Sequence, residues 1–216
     1  LTKIYILFKQ IRGVIMLKSY LHKIAVAILF LSFFGCGPGI VLTDGNLNFL
    51  RGEKLFNVEY QYDNLMVGKI TEDAYLKKKV SEKNAEEPGA GDEWVKKWFD
   101  DRELIFQPKF EKLLNKYLES KAKFQSDLKD TKYTLVLKTT LIEVGWSAVI
   151  SAKDAHINIV ALFVKTDDPQ NVLAAIQLDE CKGGGGSGLD FAVSDRVQEA
   201  YALAGEKIAK FILDYL

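Results

Sequence analysis

Between Tyr133 and Leu178 the chain carries long β-forming stretches with no helical period among them, and this run limits the fold more than any other feature. Tyr133 to Val144 is rich in Thr, Val, Leu and Ile, side chains that suit the pleated, half-buried surface of a strand. Gly145 can bend the chain before Trp146–Ser151, and His156 to Lys165 reads as a further strand. Thr166-Asp167-Asp168-Pro169-Gln170-Asn171 is a turn by composition, and Val172 to Leu178 returns as its hairpin partner. Links this short join strands antiparallel, because a parallel pair needs a crossover of roughly a dozen residues or more.

Helical patterns flank this run. Leu55-Phe56-Asn57-Val58-Glu59-Tyr60-Gln61-Tyr62 alternates apolar with polar from Phe56 on, which predicts one earlier strand. Thr71 to Glu82 then reads as a helix, with Glu72 and Asp73 in its first turn and Lys77, Lys78 and Lys79 later, an order that suits the helix dipole. Acids flank the lysine triplet, so it reads as a solvated face rather than an anion site. Glu86-Glu87-Pro88-Gly89-Ala90-Gly91 breaks the helix, and Asp92 is the expected N-cap of the next. From there Trp94, Trp98, Phe99, Phe106, Phe110, Leu113, Leu114 and Tyr117 recur at three- and four-residue steps, one apolar face interrupted at Pro108 by a kink or a helix break. Packing on a sheet is favoured over ligand binding for such a stripe. Ser194 or Asp195 caps a final helix whose buried face is Val197, Ala200, Tyr201, Ala204, Ile208, Phe211, Ile212 and Tyr215. Small residues at Ala200, Ala204 and Gly205 would let it approach the sheet closely.

The expected fold is therefore α+β: a mostly antiparallel sheet of about four to five strands packed against helices, with a long C-terminal helix. In element order the segment Tyr133–Leu178 with its Asp167-Asp168-Pro169 turn, the Gly-rich loop and the closing helix resembles small α/β domains of envelope lipoproteins, such as the TolB amino-terminal domain and the curli-secretion lipoprotein CsgG. That resemblance implies a non-catalytic part in an envelope assembly.

The start of the chain reads as export machinery. Met16 opens a short basic segment, Met-Leu-Lys-Ser-Tyr-Leu-His-Lys, and residues 1–15 read as an upstream extension. Ile24 to Phe34 is an uncharged, mostly apolar run that ends at Gly35-Cys36. It is shorter than the roughly 20 residues a membrane helix needs, so a cleaved signal is favoured. Leu31-Ser32-Phe33-Phe34-Gly35-Cys36 resembles a lipobox, which implies acylation of Cys36 and cleavage before it. The expected organisation is a signal peptide over 1–35, lipidated Cys36 with a tether over 36–54, and one α+β domain over 55–216. In lipoproteins resembling those of the Bacteroidetes an acidic cluster after the cysteine marks display on the outer face; none follows Cys36, so a periplasmic face is expected.

Charge and cysteine use narrow the partners. The five bases Lys3, Lys9, Arg12, Lys18 and Lys23 precede Cys36 with no acid among them. Taking those five from the chain's 29 leaves 24 basic against 29 acidic side chains, a net of −5, which disfavours a nucleic-acid partner. Cys36 and Cys181 are the two cysteines. With Cys36 acylated, Cys181 has no partner for a disulfide, and its place after an apolar strand marks a buried thiol.

Four constellations invite chemistry. Gly183, Gly185 and Gly188 satisfy G-x-G-x-x-G after a strand, but the helix cap lies several residues beyond and no second strand follows to supply a ribose-binding acid, so a strand-to-helix connection is favoured. Ser187 in Gly185-Gly186-Ser187-Gly188-Leu189 lacks the closing glycine of a nucleophile elbow. His156, with Asp154 two residues before it, falls short of the three or four ligands of a zinc site. The acid pairs Asp100/Asp101, Asp167/Asp168 and Asp179/Glu180 match no calcium-loop spacing and read as surface groups. The expectation is thus a non-catalytic envelope module with no cofactor or metal residues, whose one site residue is Cys36. Its partners would be the membrane, through acyl chains on Cys36, and an envelope protein. The alternative is a carboxylate-based envelope hydrolase.

Overall fold

The computed structural model describes residues 39–148, 151–183 and 193–216. Strands β1 (Ile40–Gly45), β2 (Leu55–Gln61), β3 (Met66–Val67) and β4 (Ile70–Thr71) lead into helices α1 (Glu72–Glu86) and α2 (Ala90–Asp101). A π-helical turn over Arg102–Phe106 joins α2 to α3 (Gln107–Tyr117). Strands β5 (Lys123–Ser126), β6 (Tyr133–Glu143), β7 (Trp146–Ala148), β8 (Ser151–Lys153), β9 (His156–Lys165) and β10 (Asp168–Lys182) follow, and α4 (Val193–Ile212) closes the chain.

The fold is α+β with a long C-terminal helix, but the sheet is larger than expected and mixed. Its main path runs β1-β10-β9-β6-β2-β5, and with β3 and β4 it has eight strands. β6, β9 and β10 pair antiparallel, as expected. β2 pairs parallel with both β5 and β6. The helices between β2 and β5 form the long crossover that a parallel pair needs. β5 escapes the sequence pattern because it has four residues, of which only Phe124 is buried.

The structured unit also begins earlier than residue 55. Within the expected tether over 36–54, β1 pairs antiparallel with β10 from Ile40↔Leu178 to Gly45↔Ala174. Leu47 and Leu50 are buried around a 3₁₀ turn over Asn48–Leu50. Phe49 lies against Tyr133 and Phe163, at 4.9 Å and 5.7 Å between ring centroids.

The helix starts follow local chemistry. Thr71 caps α1 by accepting from the Ala74 N–H at 3.3 Å. Lys78 and Lys79 both reach Glu82, at 3.8 Å and 2.8 Å, so the lysine run lies on a solvated, ion-paired face. The α2 N-cap is Gly89 rather than Asp92, which sits in the first turn, and Ser194 and Asp195 lie inside α4 rather than before it.

A single apolar core joins one face of the sheet to the helices. Ile157, Ile159, Ala161 and Phe163 alternate inward along β9 and meet Tyr201, Ala204 and Ile208 of α4 and Phe110 and Leu114 of α3 within that core. The small residues of α4 do admit close approach, though not only to the sheet. A Cβ on Gly205 would stand 2.4 Å from the Phe110 carbonyl oxygen of α3, and one on Gly183, after β10, would stand 2.2 Å from the Arg196 carbonyl oxygen of α4.

Candidate functional site around the π-helical turn

Pro108 has no N–H to give, and its ring crowds the carbonyl four residues back, at Leu104. The chain answers by widening the preceding turn: the Gln107 N–H bonds to the Arg102 carbonyl, five residues back. Widened turns of this kind are often found at functional sites. The irregularity expected at Pro108 thus lies just before it, and it aims neighbouring side chains in opposite directions. Arg102 and Phe106 turn inward, while Leu104 stands 74% exposed.

Arg102 is 9% exposed and forms the centre of a cluster drawn from three elements. Its guanidinium lies 4.1 Å from the Tyr62 ring centroid and 4.8 Å from that of Phe99, a cation held between two π-faces. It ion-pairs with Glu72 of α1, whose same oxygen accepts from Trp98 Nε1 at 2.6 Å. Tyr201 stacks on Phe106 at 5.2 Å and shares a 2.7 Å hydrogen bond with Thr139 Oγ1 on β6. Burial holds the Tyr62 and Tyr201 hydroxyls above the usual tyrosine range, so both stay protonated at neutral pH. Among the described residues the buried Tyr62 hydroxyl and Arg102 Nε lack hydrogen-bond partners.

Two hollows flank the turn. The smaller, about 180 Å³, lies over Trp94, Trp98 and Phe106, and the Lys97–Asp101 ion pair at 2.7 Å lies on its wall. Trp94 and Trp98 stack at 5.5 Å, and Tyr75 meets both rings edge-on or tilted. The larger is a polar cleft of about 700 Å³ lined by Glu59, Tyr60, Gln61, Glu103, Gln107, Ser126 and Asp127. β5 stops at Ser126, opposite Val58, so β2 runs on through Glu59–Gln61 with no described strand on that side. Glu111 of α3 braces the floor, accepting from Tyr60 Oη at 3.1 Å, Ser126 Oγ at 2.7 Å and Ser126 N at 3.2 Å. Burial first, then the Glu111 carboxylate, keeps the Tyr60 hydroxyl protonated well above its ordinary range. The cleft therefore offers carboxylates, hydroxyls and main-chain edge groups, a surface suited to an extended polar or basic segment.

The residues singled out from sequence lie elsewhere and apart. Cys36, Gly185, Ser187 and Gly188 fall outside the described residues. Gly183 donates its N–H to the Ala155 carbonyl at 2.9 Å and packs under α4, a structural rather than phosphate-facing role. His156 opens β9 between Glu143 and Lys182 in the ladder, with Asp154 exposed before it. Asp100 and Asp101 pair with Lys96 and Lys97 along α2. Asp167 and Asp168 are at one end of the sheet, and Asp179 and Glu180 towards the other. The sequence pattern gives Glu72 only as a first-turn acid and Tyr62 only as a strand end, and leaves Arg102 unmarked. A signal for the first existed: Trp98, Arg102, Phe106 and Phe110 follow at four-residue steps, so Arg102 is a charge on the buried stripe.

Cys181 is buried, and desolvation pushes its thiol up to about 11. At pH 8 the folded protein should therefore resist alkylation by iodoacetamide at Cys181 and label fully only in denaturant. Rapid labelling of the native protein would contradict this burial.

No family model and no curated protein matches the chain. Among solved structures it is similar to the PelC dodecamer from Paraburkholderia phytofirmans at 12% identity and a TM-score of 0.36, over 78% of this chain and 96% of that one. A variant of that dodecamer matches at 12% identity and a TM-score of 0.35, over 76% and 97%. These matches are to PelC, not to TolB or CsgG, and the chain is similar to PelC only at this level.

Proposed function

We propose that the chain is the precursor of an envelope lipoprotein that is cut before Cys36, anchored by acyl chains on that cysteine, and acts as a non-catalytic interaction module facing the periplasm. The observation that carries the reading is the order basic segment, apolar run Ile24–Phe34, then Gly35-Cys36, four residues before the first described strand at Ile40. A binding role draws support from the polar cleft beside the free run of β2 and from the exposed Phe99 and Leu104 close to Glu103 on its rim. The envelope partner would lay an extended segment along that edge.

Acyl chains hold a protein on a membrane by about 0.8 kcal/mol per buried methylene, and two or more chains make the attachment effectively permanent. The mature chain is net acidic, so charge cannot take their place on anionic lipid. Wild-type protein is expected to stay with membranes through a high-salt wash. Cys36→Ser is expected to lose the lipid mass, appearing as released protein or as an uncleaved precursor that intact mass identifies. Wild-type protein released by salt alone would overturn the reading.

A further inference from the structure

Register fixes the end of the sheet at which the chain enters β1. β1 begins at Ile40 opposite Leu178, which in turn faces Ile159 on β9. From that level the strands run on to the Glu143–His156 and His156–Lys182 pairs, about 10 Å further at 3.3 Å per residue. The chain enters β1 from this end. Cys36 is four Cα steps from Ile40, at most about 14 Å of extended chain. The β7–β8 hairpin, a separate two-stranded sheet, links β6 to β9 beyond their last pair at this end, and β9 is only two strand spacings from β1, about 10 Å.

That end exposes apolar groups of the kind that favour a lipid interface. Trp146 of the hairpin is 47% exposed, and Ile70 of β4 is 38% exposed beside β3, which pairs with Leu141 and Ile142 at the end of β6. An indole places an apolar body and one N–H donor at the headgroup level. The root of the hairpin is neutralised by the Lys153–Glu143 ion pair at 2.7 Å. Partial burial pushes the Glu143 carboxyl up, but the Lys153 ammonium and the Gly145 N–H together hold it below the usual carboxylate range.

We propose that this end of the domain rests on the bilayer surface, with Trp146 seated in the lipid interface; the proposal rests on the anchoring of Cys36. A single tryptophan binds membranes weakly on its own. A tether of four Cα steps changes that, because it converts docking into an intramolecular step at high effective concentration. The contact is apolar rather than electrostatic, since acids and bases are mixed at this end and the mature chain carries net negative charge. Docking would fix the orientation of the domain and hold the other end of the sheet, with Val172 and Asp168, away from the lipid.

The test uses the full lipidated protein in vesicles of phosphatidylcholine with or without bromine on the acyl chains, bromine being a quencher of indole fluorescence. The chain has three tryptophans, of which Trp94 and Trp98 are packed in the helical cluster. Wild-type fluorescence is expected to fall in brominated vesicles, in low and high salt alike, and Trp146→Phe should abolish the fall. In the Trp146→Phe background Ile70→Trp should restore quenching and Val172→Trp should not. A lipidated wild-type protein with equal fluorescence in both vesicles, or equal quenching of the two added tryptophans, overturns the docking while leaving the anchor intact. An unmodified Cys36 overturns the anchor and the docking together.

Discussion

Arg102→Ala is expected to destabilise the domain by about 3 kcal/mol, the lower end of what removing one partner of a buried ion pair costs. The loss has two parts. Glu72 keeps only the Trp98 indole N–H as a described hydrogen-bond donor while its side chain remains 16% exposed, and the rings of Tyr62 and Phe99 lose the cation between them. Chemical denaturation should show the midpoint falling with the slope unchanged. A charge-free pair of similar shape, Arg102→Met with Glu72→Gln, should recover most of the loss, because it removes both the buried charge and its unmet demand. If the single variant unfolds at the wild-type midpoint, Arg102 is not paired in the core. If the double variant is no better than the single one, the cost lies in packing around the π-helical turn rather than in charge.

Gly205→Ala should also destabilise, with a sign opposite to the usual one. At an exposed helical position this change gains up to about 1 kcal/mol from helix propensity. At Gly205 the added Cβ would stand 2.4 Å from the Phe110 carbonyl oxygen and 3.0 Å from the Leu114 amide, both main-chain atoms of α3 that cannot rotate away. Overpacking of a tight contact costs typically 1–3 kcal/mol, so the clash outweighs the propensity. A net loss of about 1 kcal/mol would lower the melting temperature by roughly 2–4 °C in a domain of this size. A variant that melts at or above the wild type would mean that α3 and α4 do not approach this closely.

Both effects arise where the sequence was only partly legible. The apolar periods that place α3, α4, β6 and β9 are long, so each reads from its own residues. β1 does not: Ile40–Gly45 is short, and only its pairing with β10 makes it a strand rather than a tether. β5 fails to register for the same reason, and with it goes the parallel β2–β5 pair. The apolar face containing Trp98, Phe106 and Phe110 was visible and lies in the core, but the role of Arg102 depends on Glu72 and Tyr62, 30 and 40 residues away, which only the tertiary fold brings together. The glycine run read as a strand-to-helix connection; of its residues Gly183 is described, and there the backbone of α4 lies where a side chain would be.

Whether Cys36 is the lipidated first residue of the mature protein is tested most directly by the intact mass of wild-type protein extracted from membranes. The expected species begins at Cys36 and carries the added mass of two or three acyl chains. A mature protein that begins at another residue, or that carries an unmodified Cys36, would contradict it.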